Sequence, residues 1–141
     1  MGIEENKKLV QRYYELVNLR KHESAYQLCS SDMIFHLANN DMSIEQSKIL
    51  DAMLFTAFPD LTFTIEDIIA EGDKVAFRIT LKGTHLGEFI DHASTGKKIE
   101  YTNSNWFKVA NGKLIEYWGT SDRLLLFQQL GILPPTEGPV S

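Results

Sequence analysis

The sequence predicts an α+β fold in which helices come first and a mostly antiparallel sheet follows. Apolar residues recur at helical spacing as far as Phe58. From Leu61 onward they alternate with polar residues, which is the period of a strand. Between two such alternating runs stands Asn111-Gly112, a pair suited to the positive φ angles of a tight hairpin turn.

Residues 4–19 form the first expected helix, with Leu9, Val10, Tyr13, Leu16 and Val17 on one stripe and Tyr14 at its edge. A short second helix is expected over 22–29, from Ala25, Leu28 and Cys29, and a brief strand over Met33–Leu37. Ser43 with Gln46 makes a capping box. It opens a helix carrying Ile44, Ile49, Met53 and Leu54 to Phe58, where Pro59 stops it. In the next run Leu61, Phe63, Ile65 and Ile69 alternate with polar residues, and Glu71-Gly72-Asp73 turns the chain. Val75, Phe77, Ile79 and Leu81 mark the following strand, a glycine-containing stretch spans 83–96, and a long strand covers 99–109. The hairpin partner runs from Lys113 to about Ser121. A last short helix, 122–130, ends at Gly131. No repeat or linker divides the 141 residues, so one domain is expected, with a core of about 4–131 and a loosely ordered tail over 132–141.

With 43% apolar residues the chain can bury a core, and its net charge of −5 argues against nucleic acid or an anionic membrane as partner. The single Cys29 leaves no internal disulfide, in keeping with a reducing compartment. The first residues lack a signal-peptide core, and no run reaches the roughly 18 apolar residues of a membrane span. A cytoplasmic protein is expected. Metal-ligand spacings, a nucleophile elbow and a dinucleotide fingerprint are missing. No metal and no cofactor is therefore expected, and any chemistry falls to ordinary acid–base side chains.

Asp122 leads those side chains. If the last strand persists, Glu116, Trp118, Thr120 and Asp122 share a face. A carboxylate beside the Trp118 ring would have its pKa raised by desolvation, the condition for a general acid/base. Asp122 equally suits the N-cap of the last helix. Glu116 offers a second carboxylate or a plain exposed strand residue. Trp118 and Trp106 suit packing first and a pocket wall second. His85 continues the apolar face of Phe77, while His36 lies opposite Phe35 and Leu37. Either could steady an oxyanion or be a satisfied core histidine. His22 and His92 have polar neighbours and read as surface groups. Tyr14 could present a hydroxyl to a cavity, and Asn103 and Asn105 need partners or line something wet.

Seven segments, in order, resemble one known family. They are Phe58–Leu61, Glu71–Ala76, Gly83–Phe89, Thr95–Lys97, Gly112–Trp118, Asp122, and Gln129–Gly131. Together they resemble the SnoaL-like polyketide cyclases, also grouped as ester-cyclase-like proteins in the nuclear-transport-factor-two-like superfamily. The resemblance implies a cone-shaped barrel: a curved, mostly antiparallel sheet around a cavity closed by the N-terminal helices. It implies dimerisation through the outer sheet face. It also implies cofactor-free, metal-free ring closure by intramolecular aldol condensation, with Asp122, which follows Trp118, as general acid/base. His85 takes the family's Gly-Thr-His position. The chain departs from the family at Tyr117, where His is common, at Leu37–Asn39 after His36, and at Asp41–Ser43 before the third helix.

The expected function is thus acid–base chemistry on a small apolar carbonyl compound. Asp122 would move the proton, His85 or His36 steady the enolate, and Trp118, Trp106, Phe77, Tyr14, Asn105 and Glu116 contact the substrate. The alternative is a non-catalytic domain that holds a small apolar ligand in the same cavity. Isomerisation or epoxide opening is a third possibility. The latter wants an arginine beside paired carboxylates, for which Arg78 or Arg123 would have to serve.

Overall fold

The structure, a computed structural model, describes residues 2–37 and 40–135. Its elements are α1 (Ile3–Asn18), α2 (His22–Tyr26), β1 (Cys29–Leu37), β2 (Asn40–Met42), α3 (Ile44–Ala57), β3 (Thr62–Glu71), β4 (Lys74–Thr84), β5 (Lys98–Ala110), β6 (Lys113–Thr120) and α4 (Arg123–Gln129). The strands form one open, curved sheet in the order β2-β1-β6-β5-β4-β3. Every pairing is antiparallel except β1 with β6. The architecture is α+β, as expected. The expected loose tail falls largely on 136–141, outside the described residues.

Local signals hold where they are strong. Ser43 Oγ accepts the Gln46 amide at 3.3 Å and Gln46 Oε1 accepts the Ser43 amide at 3.0 Å, closing the capping box of α3. Asn111 and Gly112 take φ of 52° and 73° in the turn between β5 and β6. The apolar stripe of α1 is buried at Val10, Tyr13, Tyr14, Leu16 and Val17. It packs across β3 and β4, where Tyr14 meets Phe63 at 5.6 Å and Phe77 at 5.4 Å, and Tyr13 reaches Phe107 of β5 at 5.5 Å between ring centroids. The end of α1 also serves the sheet edge. Asn18 donates to the Phe63 carbonyl and accepts the Phe63 amide, both at 2.8 Å, satisfying backbone that β3 has no neighbouring strand to pair.

Three local expectations give way to pairing. The second helix ends at Tyr26 because Cys29 joins β1, in register with Leu114 of β6, and the Leu114 amide donates to the Leu28 carbonyl at 2.9 Å. A five-residue helix has too few internal bonds to resist this. β2, which carries little strand propensity, forms because it hairpins back on β1. In β3 a bulge between Ile65 and Asp67 inserts one extra residue. The alternation therefore flips: Ile68 packs on the core and Ile69, expected inside, is 68% exposed.

The family-like segments Phe58–Leu61 and Gly83–Phe89 meet at the end of α3. Asp60 accepts the Thr84 amide and hydroxyl, each at 2.7 Å, and these bonds hold its carboxyl below the usual range. The Leu86 and Gly87 amides donate to the Ala57 carbonyl at 2.9 and 3.1 Å. A Cβ on Gly87 would lie 2.2 Å from the Thr56 carbonyl oxygen, so only glycine permits this approach. These two segments of the motif pattern therefore latch the end of α3 to the end of β4 and the loop that leaves it.

Candidate functional site

Between the helices and the inner face of the sheet lies a cavity of about 210 Å3. Its wall takes Tyr13 and Tyr14 from α1, Asp51 and Leu54 from α3, Tyr117 from β6 and Phe127 from α4. The loop after β4 supplies Phe89 and Ile90. That loop turns tightly: Phe89 and His92 exchange backbone bonds at 2.9 Å, with Ile90 and Asp91 both at positive φ (45° and 62°). For a β-branched residue such as Ile90 this conformation is strained.

Strand alternation decides which expected residues reach the cavity. On β6, Tyr117 and Gly119 face it, and the Tyr117 ring lies over Gly119 so closely that a Cβ there would be 2.4 Å from the phenol oxygen. Trp118 and Glu116 consequently point to the other face. Trp106, opposite Trp118 in register, does the same and is 41% exposed. The expectation that Trp118, Trp106 and Glu116 contact a substrate in this cavity is corrected by that alternation. His36 joins them outside. Its ring stacks on Trp118 at 5.0 Å and 19°, its Nδ1 lies 2.7 Å from Asp41 and its Nε2 2.9 Å from Glu116. Hydrogen bonds to Glu116 and then Asp41 raise its pKa.

Asp122 caps α4, its Oδ1 accepting the Leu125 amide at 3.1 Å. β6 stops at Thr120, so Asp122 leaves the alternating face on which it was expected. It is solvent-exposed beside the cavity rim, which corrects the expectation of a carboxylate desolvated against Trp118. Its neighbours Ser121 and Arg123 line the opening, and its own amide donates to Asn103 Oδ1, a wall residue, at 3.1 Å. His85 is fully buried between Phe58 and Phe89. Its Nδ1 accepts the Thr95 amide at 3.2 Å, which leaves the ring proton on Nε2, an atom with no partner among the described residues. Phe77 stacks on Phe107 at 5.7 Å behind the wall, and the buried Asn105 beside it has an unpaired Oδ1. Of the expected contacts, Tyr14 alone forms part of the wall itself.

Asp51 is a wall residue that the sequence expectations do not include. This half-buried carboxylate lines the cavity, accepts the Tyr26 hydroxyl, and has its pKa raised by desolvation. The Tyr26 hydroxyl is in turn bonded to Ser47 at 2.9 Å. His22, expected at the surface, packs on Phe55 at 4.8 Å and lies close enough to draw the Asp51 pKa partly back. Burial pushes the hydroxyls of Tyr13, Tyr14 and Tyr117 well up, so all three stay protonated donors at neutral pH; those of Tyr14 and Tyr117 are hydrogen bonded. A signal was available: Ser47 and Asp51 are four apart on a helix otherwise apolar towards the core. Among the described residues no group of three His, Cys, Asp or Glu is placed to hold a metal, and no helix is long and apolar enough to cross a membrane.

The sequence profile of the SnoaL-like polyketide cyclases matches residues 7–130. No curated protein matches the chain significantly. Among solved structures, the chain is similar to AclR, a proposed hydroxylase from Streptomyces galilaeus, at 29% identity and TM-score 0.89 over 94% of this chain and all of that one. It is similar to IdmH, a proposed polyketide cyclase from Streptomyces antibioticus, at 29% identity and TM-score 0.82 over 89% and 98% of the two chains. A proposed SnoaL-like polyketide cyclase from Jannaschia sp. CCS1 shares the fold at 23% identity, TM-score 0.84, over 94% and 95%.

Proposed function

The chain belongs to the SnoaL-like polyketide cyclase family, and on that premise we propose that it is a cofactor-free acid–base enzyme acting on a small, largely apolar carbonyl compound. The reaction is enolisation, followed in the native substrate by intramolecular aldol-type ring closure. The observation that carries this reading is the aromatic cavity with ionisable groups at its wall and rim. Its wall is mostly aromatic and aliphatic, so a carbonyl compound bound there would be held with its α-proton towards a carboxylate at the rim. AclR and IdmH, each 29% identical to this chain, carry different proposed activities, so the cavity chemistry and not the family name chooses the reaction.

Asp122 is the proton-transfer group in this reading. Capping through Oδ1 fixes the side chain without exhausting it, because a carboxylate has lone pairs on both oxygens. The cap also supports a second reading, in which Asp122 only starts α4 and the cavity binds a ligand without chemistry. Asp122→Asn separates the two, since Asn caps a helix about as well as Asp but cannot accept the proton. The probe reaction is exchange of the α-protons of acetophenone and 1-tetralone into D2O, followed by NMR. Protein-catalysed exchange that falls at least about a hundredfold in Asp122→Asn, with unchanged thermal stability, supports the enzyme. Exchange that the variant retains in full removes Asp122 from the mechanism.

The outer sheet face exposes Trp106 and Ile34 beside Trp118. We infer that a homodimer forms there, since large apolar groups of this kind are enriched at interfaces.

A further inference from the structure

The charge pattern of the cavity wall restricts what can bind. Among the described residues lining it, Asp51 and Arg123 alone carry formal charge, and they cancel. They also occupy different regions. The Asp51 charge is felt by Tyr13, Tyr14, Tyr26 and Tyr117, whereas the Arg123 charge is felt by Tyr101. Arg123 belongs to the exposed start of α4 and Asp51 to the middle of α3. A neutral cavity with an acceptor in its interior and a cationic donor at its rim suits a neutral ligand that is itself bipolar.

Asp51 is built as an acceptor. The Tyr26 hydroxyl, backed by Ser47, holds its Oδ2, and the three tyrosines around it are donors whose burial keeps them protonated. Burying a carboxylate costs free energy unless its lone pairs are used. One hydroxyl, from Tyr26 on Oδ2, leaves capacity for a donor from the cavity side.

From this arrangement the geometry points to Asp51 as the specificity-determining residue of the cavity, an anchor for a ligand hydroxyl, with the ligand carbonyl directed to the Arg123 rim. The substrate class is then an uncharged hydroxy-carbonyl compound, phenolic or enolic, of one to two rings. A cavity of about 150 Å3 holds benzene, and this one measures about 210 Å3. The inference rests on the cavity reading above and adds the ligand's second polar group. Asp51 takes no part in the proton transfer assigned to Asp122.

The test is calorimetric binding to the full chain at pH 7, with acetophenone and its 3′- and 4′-hydroxy derivatives as probes. At least one hydroxy derivative should bind roughly tenfold more tightly than acetophenone, the size expected for a hydrogen bond to a charged group. Asp51→Leu should abolish that preference, with cooperative thermal unfolding as the check that the variant is folded. If Asp51→Leu does not fold, Asp51→Asn serves: the native preference should weaken as pH is lowered into the carboxyl range and the carboxylate takes up a proton, and the Asn variant should show a smaller, pH-independent one. A native protein that binds all three probes alike overturns the inference, as does a preference that survives Asp51→Leu. If no probe binds, the cavity reading itself fails. If the preference holds but Asp122→Asn keeps full exchange activity, the proposed proton transfer fails and this inference stands.

Discussion

Asp122 Oδ1 lies 3.1 Å from the amide nitrogen of Leu125, so the residue we propose as the acid/base is at the same time the N-cap of α4. One side chain serves the helix and stands beside the cavity rim that the same helix builds. Truncating it should therefore be felt in stability. Asp122→Ala is expected to cost about 1 kcal/mol, against a few tenths or less for Asp122→Asn. Urea unfolding midpoints at constant slope decide it. Equal midpoints for the two variants would show that the cap contributes nothing.

His36 stands between Asp41 and Glu116, whose hydrogen bonds raise its pKa in the folded state. A raised histidine pKa stabilises the fold below the unfolded value, near 6.5, and this contribution is lost as pH rises through the folded value. Thermal midpoints should therefore fall from about pH 6 to pH 8 more steeply in the native protein than in His36→Gln. Parallel pH profiles would show that the two carboxylates do not hold the imidazolium.

Asp51 has the opposite character, a carboxyl whose pKa is raised by desolvation despite Tyr26 and His22. The folded state then binds the proton more tightly than the unfolded chain. Stability is gained as pH falls through the raised value and is lower above it. Asp51→Asn removes that penalty, so its thermal midpoint relative to native should improve as pH rises from below about 4, the unfolded carboxyl value, to neutrality. A difference that stays constant or shrinks would mean that the carboxylate is fully solvated.

Gly87→Ala should destabilise by roughly 1–3 kcal/mol, because its Cβ would meet the Thr56 carbonyl oxygen at 2.2 Å. Neither atom belongs to a flexible side chain that could swing aside. A substitution tolerated within about 0.3 kcal/mol in a denaturant titration would show that the loop can retreat from α3 at little cost.

Trp106 is expected at the centre of the homodimer interface. Trp106→Arg should convert dimers to monomers in sedimentation velocity while leaving the circular dichroism spectrum unchanged, since the side chain is 41% exposed in the isolated chain. A native protein that sediments as a monomer, or a variant that remains dimeric, counts against that face as the interface.

Strong local signals carried most of the architecture. The Ser43–Gln46 box, the Asn111-Gly112 turn and the alternation Val75–Leu81 each follow from the chemistry of a few adjacent residues, and each is present in the fold. The bulge after Ile65 is different. It moves Ile69 outward although the apolar spacing there reads as continuous, because a one-residue insertion is fixed by the partner strand and leaves no mark on composition. The turn at Ile90-Asp91 lacks the usual Asn-Gly pair for the same reason: packing of Phe89 on Phe58 and Phe127 holds a conformation that the local residues disfavour.

The site divides along the same line. By itself the sequence determined an α+β chain of this family, with Asp122 at a helix start and Tyr14 and Phe77 among the aromatic groups of the core. Only the tertiary structure decided which face of β6 looks inward, and with it that Tyr117, not Trp118, meets the cavity. Alternation tells a reader that neighbouring residues on a strand face opposite ways, but both faces of β6 carry aromatic rings, so the choice of face is made by the helices that cover one of them. For the same reason Asp51 stayed hidden. A carboxylate on a helix reads as solvent-facing until Tyr26, distant in sequence, bonds it and Tyr13 and Tyr117 join it on one cavity wall.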